Sequence, residues 1–209
     1  MSRACIIPCK PYERAKTRLA PCLTREQRVR VSRHVLLRTI SLARTLLDTV
    51  IVVSRGSDLL AEAANAGAVA LVEEAAGLNL ALSQAANFAS VAGATGVLVL
   101  PADLPVLTAS DIAGVLALAD TPPAVVIAPC RHEAGTNALL VSPPQLISFA
   151  FGRDSFARHR AAAVALGIQP AIYRSPTIAF DLDTPEDWQA FCQWPDLAGA
   201  NGTIRAATH

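Results

Sequence analysis

The feature that most constrains this chain is a regular exchange of two patterns. Short runs rich in β-branched residues alternate with longer Ala/Leu-rich stretches of helical spacing. Strands joined through intervening helices run parallel, because a crossover of that length cannot close a hairpin. The pattern predicts an α/β fold with a mainly parallel central sheet and helices on both faces. Strands are expected at Ala4–Pro8, Val50–Val53, Val69–Val72, Val97–Leu100, Val125–Ala128 and Ala138–Val141. An edge strand at Ala171–Tyr173 and a short one at Thr177–Phe180 complete the set. A long helix opens at Thr24, whose partner Gln27 makes a capping box, and its apolar stripe reads Val31, Val35, Leu36, Thr39, Leu42, Leu46. Further helices are expected at Ser57–Asn65, Leu78–Val91, Thr108–Leu118 and Ser155–Leu166, with a last one opened by Thr184 and Pro185.

Length and charge narrow the function classes. The chain has 209 residues, enough for one sizeable core, and we expect a single domain over 1–194 followed by a loosely ordered tail over 195–209. A net charge of +1 and the lack of a basic run give no footprint for nucleic acid. No apolar stretch reaches the roughly 18 residues of a membrane span, and the N-terminal apolar run is too short for a signal peptide. Five cysteines without a CxxC pair read as reduced, buried thiols, so a cytoplasmic setting is expected. The 52% apolar share is compatible with a homodimer without requiring one. A small ligand is the expected partner.

Three loops that should follow strands carry unusual content, and in parallel sheets such loops are where ligands collect. PCKPYERAKTRLAP (8–21) holds Lys10 and Lys16, the two lysines of the chain, while the remaining sixteen of 18 basic residues are arginine. Compact ammonium groups in one loop suit a triphosphate or a departing pyrophosphate. VLVLPADLPVL (97–107) places Asp103 just past an apolar strand. TIAFDLDTPED (177–187) sets Asp181 and Asp183 two apart, on one face of an extended segment. Carboxylates held together repel unless a cation lies between them, so Asp103, Asp181 and Asp183 are read as a magnesium site. GTNALL (135–140) and FGRDSF (151–156) offer glycine turns, hydroxyls and backbone amides for an anionic second substrate. His159, one turn into the following helix, reads as packed or solvent-facing. No nucleophilic triad is present, which fits in-line attack by a substrate phosphate on the α-phosphate of a nucleotide.

The PCKPYERAKTRLAP loop, LPADLP, GTNALL, FGRDSF with its following histidine, and DLDTPED occur in this order across nearly the whole chain. Together they resemble the CofC family, guanylyltransferases of coenzyme F(420) biosynthesis related to the molybdenum-cofactor guanylyltransferases. The resemblance implies a Rossmann-like nucleotidyltransferase fold of the nucleotide-diphospho-sugar transferase type. It implies transfer of GMP from GTP to 2-phospho-L-lactate, phosphoenolpyruvate or 3-phosphoglycerate, with release of pyrophosphate. By that similarity Asp103, Asp181 and Asp183 hold magnesium, and Lys10, Lys16 and Arg18 engage the nucleotide phosphates. Thr136, Gly152 and Ser155 bind the carboxylate and phosphate of the acid, and Asn79 in GLNLAL (77–82) reads the purine edge. The chain departs from the family at Arg153-Asp154, where Pro-Gly is frequent, and a guanidinium there is expected to bear on the choice of acid. Two other readings stay open at this level. Asp181-Leu182-Asp183 is also a DxD motif of nucleotide-sugar glycosyltransferases, and a non-catalytic nucleotide-binding protein could use the same fold.

Overall fold

The computed structural model describes residues 2–195. The expected tail therefore lies outside the described residues, apart from Pro195. A seven-stranded sheet has the order β3-β2-β1-β4-β6-β5-β7. Its strands are β1 (Arg3–Pro8), β2 (Thr49–Ser54), β3 (Val69–Val72), β4 (Gly96–Val99), β5 (Ala124–Pro129), β6 (Thr136–Ser142) and β7 (Ala171–Ile172). The helices are α1 (Arg25–Arg44), α2 (Ser57–Asn65), α3 (Leu78–Val91), α4 (Ala109–Ala117), α5 (Ser155–Ala165) and α6 (Pro185–Gln193). β1 pairs parallel with β2 and β4, β2 with β3, and β5 with β7. β6 alone runs antiparallel, to β4 and β5. The short connection 130–135 permits a hairpin from β5 to β6 and no crossover.

Because strand side chains alternate, β1 feeds two cores. Cys5 and Ile7 face α1, α2 and α4, where Leu36, Leu59 and Ile112 pack. Ala4 and Ile6 face α3 and α5, where Leu82, Ala85 and Phe156 pack. A third cluster sits apart from the sheet and joins Leu19, Leu23, Val31, Val35, Val106, Phe180, Leu182 and Phe191.

Two sequence expectations require correction. The capping box of Thr24 and Gln27 is present, but the buried stripe of α1 continues through Ile40 and Ala43. Leu42 is only partly buried and Leu46 is 40% exposed. The helix ends at Arg44, so Leu46 falls beyond it and Leu47 takes the inward position.

The expected strand at Thr177–Phe180 is a turn. The buried Asp111 carboxylate receives the hydroxyls of Ser175 and Thr177, the latter at 2.6 Å. That double capture curls the segment, and the Ala179 amide closes on the Ser175 carbonyl at 3.1 Å. Burial pushes the Asp111 carboxyl up, but hydrogen bonds from Ser175, Thr177 and Thr108 outweigh it, and the group titrates below the usual range.

Candidate active site

After β1 the chain steps outward to β2 and β3, then returns to place β4 on the other side of β1. The β1/β4 pair is therefore a topological switch point, and the loops beyond its carboxyl ends diverge around a crevice. The loop after β1 carries Lys10, Lys16 and Arg18, and the loop after β4 carries Asp103. β6 runs the other way, so its first residue, Thr136, opens at the same edge and pairs with Pro129 at the end of β5.

The third cluster binds these loops together. Leu19 and Leu23 belong to the lysine loop, Val106 to the segment after Asp103, and Phe180 and Leu182 to the aspartate loop. Leu182 is fully buried, while Asp181 and Asp183 on either side are half-exposed. The apolar residue between the carboxylates thus anchors the loop and leaves both acids at the surface of the crevice. The Leu182 amide donates to the Asp103 carbonyl at 2.9 Å, so the two acidic loops are stitched through backbone.

Lys16 adopts the left-handed conformation at φ 50° and ψ 38°. Its ammonium donates to the Leu182 carbonyl at 2.7 Å. Burial lowers its pKa from the ordinary lysine value, against the pull of Asp103, Asp183 and Asp181. Arg18 pairs with Asp183 at 2.9 Å on an open surface. Lys10 is exposed and makes no ion pair among the described residues. Burial raises the Asp103 carboxyl, Lys16 opposes it, Asp181 and Asp183 add to it, and the balance is a pKa pushed up to about 6.

Among the described residues no three His, Cys, Asp or Glu side chains already converge on one point as a metal site. The donor set nevertheless fits a hard divalent cation. All its groups are carboxylates, burial with Asp181 and Asp183 nearby disfavours the ionised form of Asp103, and such a cation needs only one or two carboxylates when substrate phosphates supply the rest.

Two residues that sequence reasoning passed over hold the aspartate loop in shape. Asp187 accepts from the amides of Asp183 at 2.9 Å and Thr184 at 2.8 Å. Arg131 forms an ion pair with Asp187, donates to the Asp181 carbonyl at 3.3 Å and stacks 4.8 Å over the Phe180 ring. Asp187 was legible only as a helix-capping residue, and nothing local marks Arg131.

Arg131 also begins the turn that leads to Thr136. The Cys130 amide donates to the Gly135 carbonyl at 3.0 Å, and the Gly135 amide reaches the Cys130 sulfur at 3.1 Å. The Phe156 amide, in the first turn of α5, donates to the Ala134 carbonyl at 3.3 Å. That bond draws GTNALL and FGRDSF together. Thr136 and Ser155 are both buried, and the Ser155 hydroxyl makes no hydrogen bond within the protein among the described residues. α5 has no side-chain cap, unlike α1, α4 and α6, which carry capping boxes. Gly152 sits at φ 116°, a conformation that only glycine adopts without strain.

Asn79 is joined to this second group. Its side-chain amide donates to the Phe151 carbonyl at 3.2 Å and accepts from the Phe151 amide at 2.8 Å. Arg153 and Asp154 turn outward: their side chains are 95% and 66% exposed and pair with each other at 3.5 Å. His159 is fully buried, with its Nδ1 3.0 Å from the Thr136 hydroxyl. Contacts thus link Asp103, Asp181, Asp183, Lys16 and Arg18 in one group, while Asn79 and Thr136 are joined through Phe151 and His159 to the segment that holds Gly152 and Ser155.

A family model described as "Guanylyl transferase CofC like" matches residues 3–192. The chain is 40% identical over 188 residues to a phosphoenolpyruvate guanylyltransferase from Rubrobacter xylanophilus, covering 90% of this chain and 92% of that protein. It is 39% identical to a protein of the same name from Sphaerobacter thermophilus, covering 90% and 91%. It is 31% identical to a 3-phospho-D-glycerate guanylyltransferase from Colwellia psychrerythraea, covering 87% of each.

Among solved structures, the fold is similar to a protein from Desulfovibrio desulfuricans G20 provisionally described as a nucleotide-diphospho-sugar transferase. The TM-score is 0.80 at 14% identity, covering 99% of this chain and 95% of that one. A nucleotidyl transferase from Methanothermobacter thermautotrophicus gives 0.66 at 12% identity, covering 98% and 99%. Glucosyl-3-phosphoglycerate synthase from Mycobacterium tuberculosis, solved with Mg2+ and UDP, gives 0.58 at 14% identity, covering 99% and 79%. These likenesses show the nucleotide-diphospho-sugar transferase fold expected from the sequence.

Proposed function

The chain belongs to the CofC-like guanylyl transferase family, and from that membership we propose that it transfers GMP from GTP to a small phosphorylated acid, first phosphoenolpyruvate, within coenzyme F(420) biosynthesis. The observation that carries the reading is the joint held by Leu182. It ties the lysine loop to the aspartate loop and, through the Asp103 carbonyl, to the loop after β4. Cations for phosphates and carboxylates for a metal therefore share one ledge at the switch point.

In the proposed reaction a phosphate oxygen of the acid forms a bond to the α-phosphorus of GTP. The bond from that phosphorus to the bridging β-oxygen breaks, and pyrophosphate leaves with its electron pair. Lys10, Lys16 and Arg18 bind the nucleotide phosphates and stabilise charge on the departing group. Thr136, Gly152 and Ser155 hold the carboxylate and phosphate of the acid, so that the attacking oxygen is presented in line. Asn79 is assigned in this proposal to reading the purine edge. Asp103, Asp181 and Asp183 would hold Mg2+, which supplies neutralisation of phosphate charge when bound.

The thiols of Cys5, Cys9, Cys22 and Cys130 are free, and no helix among the described residues is long and apolar enough to cross a membrane. The proposal includes a cytoplasmic setting. The test is pyrophosphate release from GTP with Mg2+, run separately with phosphoenolpyruvate, 2-phospho-L-lactate and 3-phosphoglycerate. Release that requires one acid and fails with ATP is expected. GTP binding without release under any of the three would overturn the reading, and release is also what separates it from sugar transfer.

A further inference from the structure

His159 makes two hydrogen bonds whose directions are not free. Its Nε2 faces the Ala150 backbone amide at 3.0 Å, and an amide can only donate. Nε2 must therefore carry the lone pair. In a neutral ring the proton then resides on Nδ1, which faces the Thr136 hydroxyl at 3.0 Å. A doubly protonated ring would set an N–H against the Ala150 N–H. Burial acts in the same direction and pushes the imidazole down to about 4.

Thr136 oxygen is thus an acceptor towards His159, and its own proton must be directed elsewhere. The described residues offer Thr136 no other side-chain partner.

The ring is held in place from a second side. Phe151 packs edge-on against it, with centroids 4.9 Å apart, and both polar backbone atoms of Phe151 are gripped by Asn79. Ala150 and Phe151 are therefore clamped by different side chains immediately before Gly152.

We propose that His159 is a positioning residue that locks the Thr136 hydroxyl as a donor into the acid-binding end of the crevice, so that this point accepts a carboxylate or phosphate oxygen and rejects a hydroxyl that needs an acceptor. The proposal rests on the assignment of Thr136 to the acid substrate. It gives a hydroxyl, which alone could donate or accept, a single role.

Two variants separate this role from packing. In His159→Gln the side-chain oxygen can still accept from Ala150, but nothing donates to Thr136. In His159→Asn a side-chain amide near the former Nδ1 can still donate to Thr136. We expect His159→Gln to raise KM for the acid about 10-fold, the worth of one directed hydrogen bond. KM for GTP and kcat should stay within about 2-fold, and His159→Asn should recover most of the loss. In a Thr136→Val background His159→Gln should add nothing.

Parallel rises in both KM values, or full additivity with Thr136→Val, would overturn the proposal. The 15N spectrum of the wild-type imidazole, recorded at pH 7, gives an answer that does not depend on turnover. An Nδ1–H tautomer is expected, and an Nε2–H tautomer or an imidazolium would sink the idea. Should the wild type release no pyrophosphate with any acid, the functional reading fails while the spectrum still decides how His159 and Thr136 are paired.

Discussion

The Lys16 ammonium and the Leu182 carbonyl lie 2.7 Å apart, which fixes a cation beneath the backbone that separates Asp181 from Asp183. Lys16 ties two loops, and in the proposed reaction it also presents charge to the nucleotide phosphates. Removing the ammonium in Lys16→Met should lower kcat/KM for GTP by about 100-fold or more, the range seen when one stabilising donor is lost. Lys16→Arg should not restore it, because a planar fork cannot replace a compact charge on this short bond. Lys10 is exposed and its ammonium makes no ion pair among the described residues, so Lys10→Ala should cost about 10-fold or less. Steady-state pyrophosphate release measures all three. Equal losses for Lys10 and Lys16 would remove the special place given to Lys16.

The three aspartates are predicted to fail together with the metal. Asp103→Asn and Asp183→Asn should each abolish measurable pyrophosphate release while thermal unfolding stays cooperative. Chelation of divalent cations should abolish the wild-type activity, and added Mg2+ should restore it. Binding of Mg2+ with GTP, followed by calorimetry, should weaken in both variants. Full activity after exhaustive chelation would rule out the carboxylate assignment.

What could be read in the sequence, and what could not, divides along the range of the interactions. The strands were legible because β-branched runs report local burial, and Asp103 was legible because a strand end is a local feature. The Asp181/Asp183 pair followed from the two-residue period of an extended segment. The turn at 177–180 was not legible, since the Asp111 carboxylate that bends it lies 66 residues away in sequence. The same holds for His159, read as packed or solvent-facing. Its burial is local information, but its bonds to Thr136 and Ala150 depend on how α5 meets β6. Arg131 was missed for this reason too, because its partner Asp187 is 56 residues on.

Asp154 occupies the left-handed region at φ 54° and ψ 27°, immediately before α5. An L side chain in that conformation costs energy that glycine avoids. The substitution Asp154→Gly should stabilise the folded chain by up to about 1 kcal/mol, the strain relieved being partly offset by the greater freedom of the unfolded chain. Because Arg153 and Asp154 both face solvent, the ranking of acid substrates should be unchanged. Chemical denaturation and the three-acid assay test the two halves separately. A changed acid preference would return the Arg153-Asp154 pair to the substrate site.

The buried imidazole of His159 should leave a signature in the pH dependence of stability. Burial holds it near 4 in the folded chain, with Arg158 acting in the same direction, against an ordinary value of 6.5. Between those values the unfolded chain binds a proton at this residue and the folded chain does not, so acid favours unfolding. The contribution is complete above about pH 6.5 and is lost as pH falls towards 4, by about 3 kcal/mol over the whole window. His159→Gln has nothing to titrate there. Its stability deficit relative to the wild type, measured by urea denaturation, should therefore be largest at pH 7 and should narrow steadily down to pH 4. A deficit that is the same at both ends would mean that the imidazole titrates alike in the folded and unfolded chains. The Ala150 contact at Nε2 could not then be holding the ring in its neutral form.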